Sequence, residues 1–89
     1  MLNKNPQSPQ SLVLRFMREK RKLTITQVSK TVGLKAKKID FLENGRGLIS
    51  ENEILNFLKC YDYSQDLFNE MIKIKPLNKQ TANHYFLNM

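Results

Sequence analysis

Cysteine and histidine are nearly absent from this chain, with Cys60 and His84 the single example of each. One cysteine closes no intrachain disulfide, and the two residues together fall short of the ligand set of a structural zinc. Long apolar runs are missing too, since no window approaches the roughly 18 unbroken apolar residues of a membrane span. The opening Met1-Leu2-Asn3-Lys4-Asn5-Pro6 has no apolar stretch that could serve as a signal peptide, so a cytoplasmic location is expected. There is no glycine-rich phosphate loop, and no Ser, Cys or His lies in a pattern with a base and an orienting partner. Neither enzymatic activity nor a cofactor is therefore expected. At 89 residues the chain holds one domain and one small core, which leaves no room for separate cofactor and substrate lobes. Its 40% hydrophobic and 26% charged residues are the balance of a soluble globular chain rather than a disordered one.

Acidic residues are scarce in one half only. Residues 1–49 carry seven Lys and four Arg against Glu19, Asp40 and Glu43, a balance of +8, while residues 50–89 carry four Lys against five acids, a balance of −1. Such polarity suggests a polyanion partner on one face and another task for the opposite side; taken alone, the charge is equally that of a solvated lysine-rich surface.

Helical spacing accounts for most of the chain. Residues 1–10, MLNKNPQSPQ, have little to bury and read as a flexible arm, with ordered structure expected from Ser11. Val13, Leu14 and Met17 mark the apolar face of a basic helix over 12–22. Thr24 with Gln27 forms a capping box at the start of a second helix, which carries Val28 and Val32 inward and stops at Gly33. Ala36 to Asn44 resumes helical spacing with Ile39 and Leu42 buried. The turn Asn44-Gly45-Arg46-Gly47 leads to a second box at Ser50 and Glu53, and a fourth helix with an apolar stripe of Ile54, Leu55, Phe57 and Leu58. Ser64 caps a fifth helix bearing Leu67, Phe68, Met71 and Ile72. Residues 76–89 read as a tail beyond Pro76.

The stretch Leu23-Thr24, nine residues on to Gly33, six more to Ile39, then Leu42-Glu43-Asn44-Gly45-Arg46, resembles the phage-repressor-like (Xre, lambda-repressor-like) DNA-binding domain. The likeness spans about residues 12–70 and implies an all-α fold. Five helices would lie over 11–75, with the arm before them and the tail after. It also implies that Arg18 pairs with Glu43 as scaffold, and that the start of the third helix lies in a DNA major groove. Ala36, Lys37 and Phe41 are then the base-reading positions. Phosphate contacts fall to Thr24, Thr26, Gln27, Lys35, Lys38, Asn44 and Arg46. Ile25 departs from the family, which usually begins its second helix with a phosphate-gripping glutamine.

The third helix points the same way on physical grounds. Lys35, Lys37 and Lys38 crowd the positive end of the helix dipole, and Lys35 supplies no capping oxygen. A phosphate there would relieve both conflicts; the plainer reading is three solvated lysines. Phe41 has three open roles: packing on thymine methyls, contacting a protein, or folding back onto the core.

The expected function is a transcription regulator, a repressor, that binds double-stranded DNA as a homodimer. The alternative is a protein-interaction module of the same fold, an antitoxin or anti-repressor with a toxin or other regulator as partner. The dimer surface is expected from Met71, Ile72, Ile74, Tyr85, Phe86 and Leu87, where a small monomer has little interior left. No membrane partner is expected.

Overall fold

The computed structural model describes residues 8–45 and 47–87, Leu87 by its backbone alone. Among them all regular structure is helical, in the order α1 (Pro9–Lys20), α2 (Ile25–Val32), α3 (Ala36–Glu43), α4 (Glu51–Tyr61), α5 (Gln65–Met71) and α6 (Lys79–Leu87). The all-α expectation holds, with two corrections at the ends.

The first concerns where α1 begins. Ser8 is its N-cap, with Oγ accepting from the Ser11 amide at 3.2 Å, and Pro9 occupies the first helical position. A serine followed by a proline that needs no amide partner is a helix start, so part of the presumed arm is helix. The remainder of that arm, residues 1–7, lies outside the described residues.

The second correction is α6. Asn78 and Thr81 exchange backbone-to-side-chain hydrogen bonds of 3.0 Å each, which starts a helix where a tail was expected. Ala82 and Phe86 are buried against the rest of the chain, and the Phe86 ring packs on Tyr63 at a centroid distance of 5.4 Å. The Lys79 ammonium reaches Glu19 of α1 at 3.8 Å. Phe86 and Met71, both assigned above to a dimer surface, are thus buried within the protomer: its interior extends further than five helices suggested. Ile72 and Ile74 are half-buried against the same core, and Tyr85 is exposed. The Leu87 side chain lies outside the described residues.

Between these ends the signals read from sequence form as hydrogen bonds. The α2 box closes with Gln27 N to Thr24 Oγ1 at 3.1 Å and Thr24 N to Gln27 Oε1 at 2.8 Å. The α4 box has the same pair of bonds between Ser50 and Glu53. Gly33 ends α2 at φ 79°, a left-handed conformation that costs glycine nothing sterically. Lys22 and Asp62 adopt that conformation without being glycine, at φ 58° and 59°. Each ends its helix with the next amide bonded five residues back, Leu23 to Arg18 O and Tyr63 to Leu58 O. The stripe on α4 is narrower than expected, because Leu55 is 44% exposed while Phe57 and Leu58 are buried.

Val13, Leu14 and Met17 of α1 meet Val28, Ile39, Leu42, Phe57 and Leu58 in one core, with α3 resting on α1 and α2 and α4 packed against the same two helices. Cys60 is half-buried, and burial pushes its thiol above its ordinary value, as for a packing residue.

Candidate functional site

The site is organised by one arginine. Arg18 donates from Nε to Glu43 Oε2 at 2.7 Å and from Nη2 to Oε1 at 2.9 Å, a two-pronged pair whose side chains are only 13% and 8% exposed. Its remaining nitrogen, Nη1, donates to Leu23 O at 2.8 Å, immediately before the α2 cap. The carboxylate hydrogen bond raises the Arg18 pKa further, so the charge is permanent. One guanidinium thereby fixes the end of α3 relative to the start of α2. Beside it the buried Tyr61 hydroxyl has no hydrogen-bond partner, and burial pushes its pKa strongly up.

With its C-terminal end held, α3 buries Ile39, Leu42 and Glu43 and exposes Ala36, Lys37, Lys38, Asp40 and Phe41. At about 100° per residue, Lys37 and Phe41 lie one turn apart on the side opposite Ile39. Lys35 occupies the cap position and makes no capping bond, so the first-turn amides of α3 lack the side-chain acceptor that α2 and α4 possess. Lys35, Lys37, Lys38, Asp40 and Phe41 line a single open depression at this end.

Phe41 is 40% exposed, so it is not a core residue. Its ring edge lies over the loop after α3: a Cβ placed on Gly47 would stand 2.7 Å from Phe41 Cε2. The Lys38 ammonium sits 6.0 Å from the ring centroid.

Several expected contacts are engaged locally. Thr24 Oγ1 and Gln27 Oε1 serve the α2 box, which leaves the Gln27 amide nitrogen and the exposed Thr26 hydroxyl as outward groups. The Asn44 amide donates to Asp40 O at 2.9 Å and closes the end of α3. Ile25 is half-buried and packs against the core. Arg46 lies outside the described residues.

Two features escaped the sequence reading. Arg21 donates to Tyr61 O at 2.7 Å and Asp62 O at 3.0 Å and lies 4.1 Å from the Tyr63 ring centroid, closing the carbonyl end of α4. Its spacing from Arg18 places both on nearby faces of α1, but its partners are 40 residues away and leave no local signature. Leu48, in the loop between α3 and α4, is 97% exposed beside a cleft that includes Gly45, Gly47, Ile49 and Ile54.

Among the described residues no group of three or more His, Cys, Asp or Glu could hold a metal ion, and no helix is long and apolar enough to cross a membrane. A family model described as a helix-turn-helix domain matches residues 11–71. No curated protein and no solved structure matches the chain.

Proposed function

From the chain's membership of the helix-turn-helix domain family, matched over residues 11–71, we propose that it is a sequence-specific double-stranded DNA-binding transcription regulator, a repressor that acts as a dimer. The observation that carries this reading is the start of α3, where three exposed lysines surround amides without a side-chain cap on a helix whose other face is fixed in the core. A DNA phosphate supplies both the acceptor and the charge that this end lacks. Lys37 and Phe41 then face base edges, with Ala36 beside them. Lys35 and Lys38, together with Thr26 and Gln27 at the start of α2, hold the backbone in register, and the sequence assigns Arg46 the same task. The Arg18–Glu43 pair sets the angle between the two helices.

A helix of eight residues reads only a few base pairs, so a useful site needs a second copy at fixed spacing. Ile72, Ile74 and Tyr85 remain the proposed dimer contacts, and the operator is near-palindromic with half-site centres roughly 34 Å apart. Sedimentation at micromolar concentration reads the dimer directly; a strict monomer protecting one asymmetric half-site removes it.

The experiment for the function is duplex binding at several salt concentrations. With about four to six phosphate contacts per protomer, the log-log slope should be about −4 or steeper. Binding that ignores salt, or none at low salt, rejects the reading. It would favour instead a partner-protein surface around the exposed Leu48, as in an antitoxin or anti-repressor.

A further inference from the structure

Phe41 is the one aromatic side chain on the exposed face of α3, and three features define what it can do there. The first is its place. It lies one turn from Lys37 on the side opposite Ile39, with Lys35, Lys37, Lys38 and Asp40 around the same depression. A rim carrying three ammonium groups suits a polyanion.

The second is restraint. The ring edge rests over Gly47 so closely that a methyl group there would stand 2.7 Å from Cε2 and 3.3 Å from Cδ2. The loop backbone bounds the ring on one side and leaves its other side open to a docking group. Gly47 is not in the left-handed region, so the backbone would accept alanine while the ring contact would not.

The third is chemistry. A phenyl ring neither donates nor accepts a strong hydrogen bond. Against the major-groove edges of guanine, adenine and cytosine it would cover polar groups without satisfying them, which is unfavourable. The thymine edge alone carries an apolar group, the methyl at C5. We propose that Phe41 is a specificity-determining residue that packs its ring on the 5-methyl group of a pyrimidine, thymine in unmodified DNA. The proposal rests on the DNA-binding reading above and gives that reading its chemical preference.

The test begins with a site selected by the wild-type protein from a random duplex pool. Each thymine is then replaced singly by uracil, which removes one methyl and leaves pairing and hydrogen-bonding edges intact. In fluorescence anisotropy, one position per half-site should lose about three- to fivefold in affinity, the effect of uncovering one methyl-sized group. Cytosine at that position should bind more tightly when methylated at C5. Phe41→Ala, checked for unchanged helicity by circular dichroism, should bind the thymine and uracil sites equally. Gly47→Ala should reduce the thymine preference below about twofold while keeping the wild-type salt slope, because it shifts the ring and alters no charge. Wild-type affinity unchanged at every uracil overturns the proposal while leaving DNA binding in place, as does a uracil effect that persists in Phe41→Ala. Failure to bind any duplex is a different result and removes the DNA-binding reading itself.

Discussion

Helices α2 and α3 have the same length, eight residues each, and begin in opposite ways. At α2 the protein satisfies its own first turn, through a reciprocal box between Thr24 and Gln27. At α3 the cap residue is a lysine without a capping bond, and two further lysines follow within three residues. Stability favours the first arrangement and opposes the second. Among the described residues Ser8, Ser50 and Ser64 also cap their helices, so the α3 start departs from a rule the chain keeps elsewhere. A departure from local consistency at one place in an otherwise consistent fold is characteristic of a functional position.

The strongest challenge to that contrast is to cut the link between the two helices. Arg18→Ala leaves the Glu43 carboxylate buried without its main partner and frees Leu23 O. The expected loss in chemical denaturation is about 3 kcal/mol, at the lower end for a buried pair because some exposure remains. Replacing both partners with apolar residues should recover much of that; no recovery would mean that the pair does more than fill its space.

Next in size, Lys37→Ala should cost roughly 1 to 3 kcal/mol of discrimination between selected and unrelated duplexes. Arg46→Ala should weaken both alike, because a phosphate contact carries no sequence information. Selection on random DNA that returns the same motif for Lys37→Ala as for wild type would displace α3 from its reading role.

The capping contrast itself is tested by a pair of variants of opposite sign. Thr24→Ala should lower stability by about 1 kcal/mol through loss of the α2 box. Lys35→Ser supplies α3 with the oxygen it lacks, and should raise stability by about 0.5 kcal/mol while weakening duplex binding. If Lys35→Ser strengthens both properties, the uncapped start has no function in binding.

The smallest expected effect lies beside the Arg18–Glu43 pair. The Tyr61 hydroxyl is buried and unpartnered, so Tyr61→Phe should change stability at neutral pH by less than about 1 kcal/mol, with either sign. Burial raises the Tyr61 pKa, so the folded chain keeps this proton to higher pH than the unfolded chain does. Its contribution is fully present below the ordinary tyrosine value, near pH 10, and is lost as pH rises from there toward the raised folded value. Denaturation followed from neutral to strongly alkaline pH should therefore show a shallower decline in Tyr61→Phe.

Much of this fold was legible because its signals are local. Both capping boxes, the Gly33 stop and the inward set Val28, Ile39 and Leu42 depend on neighbours within a turn or two, and all stand as read. The helix-turn-helix family was legible from the same register. What failed to show depends on distance. Phe86 looked surplus because the sequence does not reveal that Tyr63 and Lys20 provide its surroundings. Arg21 left no mark in the sequence because its acceptors lie at the far end of α4. Phe41 could not be placed from sequence, since its ring depends on how closely the Gly47 backbone approaches after the turn. Leu55 matched the helical stripe, yet α4 is covered on too narrow a face to bury it.

The three described arginines all serve the protein itself: Arg15 pairs with Glu19, Arg18 with Glu43, and Arg21 closes α4. The charge at the α3 start is carried by primary amines instead. These two cation types differ in reactivity as well as geometry, because amines are acylated by reagents that leave guanidinium groups intact. Mild acetylation would therefore neutralise the α3 lysines, and with them Lys20 and Lys79 beside α6, while it spares the arginine struts that join α1 to α3 and α4.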